Sequence, residues 1–154
     1  MSNVEVKRVS RREQRILAMQ ILYAYETQPL TGIKEHWESV VSMMDMAKFS
    51  LTFAEELVNE TVANLHEINK LLSKFLENWA LTRVEKVNLA VLRVAVCELL
   101  TQKNIPSAVI INEAIEISKL YAEPSSSALI NGVLDGISKR VRVIKETAQD
   151  AVAD

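Results

Sequence analysis

The run from Val84 to Leu100, VEKVNLAVLRVAVCELL, constrains the fold more than any other stretch of the chain. Twelve of its seventeen residues are apolar, and at 100° per residue they cover the whole circumference of a helix. A helix apolar on every side is surrounded by other helices or by lipid. Glu85, Lys86, Arg93 and Glu98 interrupt the run, whereas a membrane span needs about twenty mostly uncharged residues. The run is therefore expected to be the central helix of an all-α bundle. Thr82 and Glu85 have capping-box spacing at its entry.

At 154 residues, with 49% apolar and 25% charged side chains, the chain suits one globular domain. Three glycines and three prolines leave few turns and favour long helices. The formal charge of −2 exerts no global pull on nucleic acid, so any basic site must be local. The single cysteine, Cys97, lies inside the apolar helix. It forms no disulfide framework, and a core thiol in a reducing compartment is the simple reading. The N-terminal residues carry no apolar segment of a signal peptide. A cytoplasmic protein is expected.

Residues 1–10 read as a flexible basic arm. Ser10 and Glu13 then have capping-box spacing before an apolar-periodic run, which predicts a first helix over Arg11 to Thr27. Pro29 and Gly32 break the chain, and Ile33, Trp37, Val40, Val41 and Met44 mark a second helix. A longer stripe from Ala54 to Leu76 follows, with Thr52 and Glu55 as a cap and a bend expected between Asn64 and Asn69. Pro106 suits the first turn of the next helix, which should end near Tyr121. The last helix carries Leu129, Ile130, Val133, Leu134, Ile137 and Val141, and fraying is expected from about Lys145. The result is about six or seven helices, an N-terminal half over 11–78 and a C-terminal half over 79–144 meeting near Trp79. Gly132 and Gly136, four residues apart, could mark a close helix contact.

Catalytic signals are missing from this sequence. His36 and His66 lie in no Glu-x-x-His or His-x-x-x-His pattern, so no metal site is expected. Neither a nucleophile elbow nor a phosphate-binding glycine loop is present. No cofactor is implied, and the chain does not read as an enzyme.

A local charge cluster is the strongest functional feature. Lys7, Arg8, Arg11, Arg12 and Arg15 oppose only Glu5 and Glu13 within the first fifteen residues, a local +3. Arg11, Arg12 and Arg15 share one face at a helix N-terminus. There the free N–H groups already favour an anion, and an external phosphate would explain arginines at the wrong end of the dipole. A solvated face with acidic neighbours is the plainer alternative. Tyr23 could present its ring to a partner or edge the core. Leu92, Val96 and Leu99 form a strip beside Glu85 and Asn88 that suits either a protein interface or packing within the bundle.

Four segments also carry a resemblance. RREQRILAMQILYAYE at 11–26, LTRVEKVNLAVLRVAVCELL at 81–100, IPSAVIINEAIEISKLY at 105–121 and SALINGVLDGI at 127–137 occur in the order typical of the bacterial NusB family. The chain resembles that family over nearly its full length. The resemblance implies an all-helical fold of two small subdomains. It also implies a transcription antitermination factor that binds single-stranded boxA RNA of ribosomal RNA transcripts. Such proteins act with NusE, a small-subunit ribosomal protein, and join RNA polymerase with other Nus factors.

By position, Arg11, Arg12 and Arg15 match the family's arginine cluster for RNA. Ser127, Ala128 and Leu129 match a second RNA-contacting segment. Tyr23, Glu85 and Asn88 match the NusE-facing side. The chain departs from the family pattern at Leu129, where an aromatic residue is usual, at Ala128, where a basic or polar one is, and at Asn88-Leu89, where an acidic–basic pair is. Two further readings share the fold. One is the RNA-binding accessory domain of a ribosomal RNA cytosine methyltransferase, which needs a catalytic α/β domain beyond these residues. The other is a helical protein-interaction module without RNA binding. A homodimer that hides the arginine face is compatible with all three.

Overall fold

The computed structural model describes the backbone over residues 7–28, 31–46, 49–76 and 84–153, and side chains over 8–28, 31–46, 49–76 and 84–142. Seven helices lie among the described residues: α1 (Arg11–Thr27), α2 (Ile33–Met43), α3 (Thr52–Ala63), α4 (Leu65–Phe75), α5 (Lys86–Thr101), α6 (Ser107–Tyr121) and α7 (Ser126–Ala153). Two short strands, β1 (Lys7–Arg8) and β2 (Phe49–Ser50), pair in parallel.

α5 is the hub. It packs against α1, α3 and α4 on one side and α6 and α7 on the other. Leu89, Ala90, Val91, Leu92, Val94, Ala95, Val96, Cys97 and Leu99 are all buried, and each large side chain among them contributes about 1.5–3 kcal/mol on leaving water. The strip of Leu92, Val96 and Leu99, for which a partner surface was one reading, is core. Burial likewise pushes the Cys97 thiol up from its ordinary pKa, which leaves it an inert core group.

Three polar residues of α5 are satisfied by neighbouring helices. Glu98 pairs with Arg15 of α1. Arg93 donates to Asn69 of α4 at 3.0 Å and pairs with Glu26 of α1. Asn88 donates to Ser126 Oγ of α7 at 2.8 Å and accepts from Ser118 Oγ of α6 at 3.3 Å. At the other end, the Arg142 guanidinium donates to the carbonyls of Glu98, Leu99 and Gln102 at 3.3, 3.1 and 2.9 Å. A cation placed at these last carbonyls of α5 complements the helix dipole.

The cap before α5 differs from the capping box read in the sequence. Glu85 is itself the N-cap and makes no side-chain cap bond, so α5 starts at Lys86, and Thr82 lies outside the described residues, as does Trp79. Pro106 is likewise the N-cap of α6 rather than its first helical residue, its carbonyl accepting from Val109 and Ile110. α7 continues helical to Ala153, past residue 145, where fraying was expected to begin.

The start of α1 and the bend after α3 fall where the sequence places them. Ser10 Oγ accepts from the Glu13 amide at 3.1 Å and starts α1 at Arg11. The bend falls at Asn64, which is C-cap of α3 and N-cap of α4 with φ −108° and ψ 16°. Its Nδ2 donates to the Glu60 carbonyl at 2.8 Å, and such local side-chain bonding competes with the helical ladder. α2 ends with Met46 N–H on the Val41 carbonyl and Asp45 N–H on the Ser42 carbonyl. That is a Schellman motif, with Asp45 at φ 52° in the place glycine favours. At Gly136, a Cβ would stand 2.7 Å from the Phe75 ring, so the close contact joins α7 to α4. Gly132 faces open space.

The basic arm is anchored over its last residues. Besides the β1–β2 ladder, Gln14 Nε2 donates to the Val9 carbonyl while its Oε1 accepts from the Ala54 amide, both at 3.0 Å. One buried amide thus ties residue 9 to α1 and caps the N-terminus of α3, which has no cap of its own.

Candidate nucleic-acid interface

Burial divides the arginine cluster of α1. Arg11 and Arg12 are exposed, whereas Arg15, one turn later, is 4% exposed. The Arg15 guanidinium forks onto Glu98, with Nη2 at 2.8 Å from Oε1 and Nε at 3.0 Å from both carboxylate oxygens. It is bound inside the bundle and does not lie on the surface where the sequence pattern groups it with Arg11 and Arg12. The physical reason is depth along the helix: Arg11 is the first residue of α1, whereas Arg15, on nearly the same face one turn further in, lies between α5 and α3 against Glu98 and Phe53. Burial pushes the Glu98 carboxyl up from its ordinary value, and the hydrogen bonds from Arg15 pull it back.

Arg12 projects outward but is not idle. Its Nε and Nη2 donate to the two carboxylate oxygens of Glu113 on α6 at 2.8 and 2.9 Å. Those hydrogen bonds hold the Glu113 carboxyl below its ordinary value. The α1 arginines that looked misplaced on the positive end of a dipole are therefore partly neutralised from within, by Glu98 and Glu113.

Arg11 has a different neighbour. Its guanidinium carbon lies 4.8 Å from the ring centroid of Phe53 at the start of α3, and that of Arg15 lies 5.3 Å from the same ring. Cation–π contact at this range orients a guanidinium without consuming its N–H donors. Arg8 sits in β1 and is exposed, and neither Arg8 nor Arg11 forms an ion pair among the described residues. The side chain of Lys7 lies outside the described residues. One end of α1 thus carries an exposed surface of Arg8, Arg11 and Arg12, braced by Phe53, Glu113 and the buried Arg15–Glu98 pair.

Three of these bracing residues were not singled out in the sequence. Arg11 and Arg15, four residues apart, must face one neighbouring helix, and Glu98 is a carboxylate in an otherwise apolar run. Both were visible, but which helix packs on which is a tertiary fact. Phe53 and Glu113 carried no signal of their own.

The remaining candidates fall into two groups. Tyr23 (37% exposed) and Glu85 are on the surface. Asn88 is not: it is 4% exposed and consumed by Ser126 and Ser118. It braces the start of α7, because Asn88 lies on the side of that turn that meets α6 and α7, while Lys86 takes the solvent side. At that start, Ala128 is exposed, Ser127 is half-buried with an unpartnered Oγ, and Leu129 packs against the core. Glu113 and Ser118 are five residues apart on α6, about 7.5 Å. The arginine end of α1 and the start of α7 therefore approach neighbouring turns of one helix. The histidines stay structural: His36 is buried with Nε2 on the Gln28 carbonyl at 2.9 Å, and His66 is exposed. No group of metal-ligating side chains occurs among the described residues, and no helix there is long and apolar enough to cross a membrane.

The family model described as "NusB family" matches residues 12–139. Transcription antitermination protein NusB of Geotalea daltonii is 40% identical over 136 residues, covering 84% of this chain and 94% of that protein. The chain belongs to the NusB family. The solved structure of T. maritima NusB superposes with a TM-score of 0.77 at 32% identity, over 86% of this chain and 93% of that one. The fold is shared as well with a crystal structure of antitermination factors NusB and NusE in complex with dsRNA. That match has a TM-score of 0.76 at 24% identity, over 84% of this chain and 96% of that one. The NusB match begins at Arg12 and ends at Lys139, so it spans α1 to the middle of α7 and includes Glu98 and Glu113.

Proposed function

We propose that this chain is a cytoplasmic transcription antitermination factor without catalytic activity. It binds single-stranded boxA-type RNA together with NusE and acts on RNA polymerase with other Nus factors. The observation that carries the RNA part is the exposed end of α1, where Arg8 and Arg11 have no ion-pair partner among the described residues and Arg12 has only a surface carboxylate. In this reading Arg8, Arg11 and Arg12 take the phosphates, with Lys7 beside them in β1. Arg15 acts as a positioning residue through Phe53. Ser127 and Ala128 border the strand at the start of α7, while Leu129 supplies no stacking ring. Tyr23 and Glu85 remain available to NusE, and Asn88 serves that side only by holding α7 in place.

The test is fluorescence anisotropy of a labelled boxA-type RNA titrated with the protein and NusE. Tighter binding than to a scrambled RNA is the expected outcome. Equal binding to both, or none with NusE still associating, would reduce the chain to a protein-interaction module.

Glu113 gives a prediction with an unusual sign. It competes with RNA for Arg12, so Glu113→Gln should tighten RNA binding, by no more than a few-fold because solvent screens an exposed ion pair. The same titration checks it; weaker binding would mean that Glu113 matters more for aiming Arg12 than for occupying it.

A further inference from the structure

Next to the arginine end, a groove of about 270 Å³ runs between α1, the turn after α2 and the end of α6. Glu13, Ile16 and Gln20 line one side, Met44 and Met46 another, and Tyr121 the third. We propose that this groove is a nucleobase subsite that takes one base of the bound RNA strand and favours bases with an exocyclic amino group. The proposal rests on the RNA-binding reading above and adds the base contact that the arginines do not make.

Position supports it first. Arg12 meets Glu113 on α6, and Tyr121 lies eight residues further along α6, about 12 Å. Ile16 and Gln20 lie one and two turns beyond Arg12 on α1. A strand with its phosphates on Arg11 and Arg12 therefore has the groove within reach of its bases.

The chemistry supports it second. Tyr121 is 44% exposed although it is a large aromatic at a helix end, and single-strand binders use such rings as stacking platforms. Methionine thioethers, adaptable in shape and favourable against aromatic faces, complete the walls. The Schellman turn at Asp45 fixes both methionines relative to α2. Gln20 lines the groove, and its Oε1 is buried without a hydrogen-bond partner, an acceptor that native structures seldom leave unused. The amino group of adenine, cytosine or guanine is the donor it lacks. Uracil's one donor, N3–H, is flanked by two carbonyl oxygens, and the Glu13 carboxylate at the rim repels these as it repels phosphate. With Leu129 packed inward at the start of α7, Tyr121 is an exposed ring placed to take over stacking.

The experiment compares labelled oligo(C), oligo(A) and oligo(U) of about twelve nucleotides with the full chain and three variants, Gln20→Leu, Tyr121→Ala and Tyr121→Phe. The wild type should bind oligo(C) and oligo(A) more tightly than oligo(U). Tyr121→Ala should weaken the tight complexes roughly 5- to 150-fold, and Tyr121→Phe should keep them, because stacking needs the ring and not the hydroxyl. Gln20→Leu should erase the preference. None of the variants alters a charge, so the salt dependence should stay as in the wild type.

Salt-dependent binding that ignores base identity, or variants that keep the wild-type preference, would overturn the subsite and leave the arginine surface standing. Absence of binding to all three RNAs at low salt would remove the RNA reading and the subsite with it. Loss of NusE association by Tyr121→Ala with RNA affinity unchanged would assign the groove to protein and overturn the proposal.

Discussion

Glu98→Ala should destabilise the protein by about 3–5 kcal/mol, because it strands the Arg15 guanidinium in the core without its carboxylate. Total stability of a domain is about 5–15 kcal/mol, so the loss is a large share of it. For a chain of this size, melting should fall by about 10 °C. Arg15 is 4% exposed and makes its described hydrogen bonds only to Glu98. The pair as a whole is a different matter, since desolvating both charges offsets most of their attraction. Arg15→Met combined with Glu98→Leu should therefore recover most of the loss. Urea unfolding of the two single variants and the double variant measures this directly. A single-variant loss below about 1 kcal/mol would place the pair among ordinary surface bridges.

The two carboxylates behind the arginines respond to acid in opposite senses. Burial raises the Glu98 pKa above its ordinary value of 4.5. Its own contribution to stability is complete below that value and is lost as pH rises through the folded one. Arg12 lowers the Glu113 pKa below the same ordinary value. Its contribution is present above 4.5 and is lost as pH falls through the folded value. On acidification Glu98 should therefore take up a proton before Glu113 does, an order that carboxyl NMR titration reads directly.

Much of this molecule was legible in the sequence, because its signals are local and repeated. Ser10 and Glu13 set the start of α1 where it occurs, and a helix apolar on every side could only be a hub. What was not legible depends on which side of a helix meets which neighbour. Arg11, Arg12 and Arg15 look like one cluster in sequence and do share a side of α1, yet Arg15, one turn deeper, meets Glu98 of α5 in the core while the other two, at the end of the helix, stay in solvent. Asn88 resembles a surface residue by type, and its burial becomes visible only once α6 and α7 bring two serines to it. The anchoring of residues 7–9 was missed because its ladder partners, Phe49–Ser50, are distant in sequence, and because nearby Gln14 is set in place by Ala54 of α3. The NusE-facing reading of Glu85 is compatible with the shift in helix start, since Glu85 is exposed as the N-cap.

Replacing Arg8, Arg11 and Arg12 together by alanine should have the largest effect on RNA. Each phosphate neutralised on a single strand contributes about −0.7 to the slope of log K against log salt. Removing three arginines that each hold one phosphate should flatten the slope by about 2. Stability should change little, because Arg8 and Arg11 have no ion pair among the described residues and the Arg12–Glu113 pair is half-exposed. Arg15→Ala should behave in the opposite way, lowering stability strongly through the unpaired Glu98. Anisotropy of a labelled boxA-type RNA with NusE, titrated over a salt series for the wild type and the triple variant, separates these effects most directly. A steep wild-type slope that flattens by about 2 in a folded triple variant is the expected result. An unchanged slope would mean that RNA is held elsewhere on the bundle and would contradict the assignment of the α1 surface.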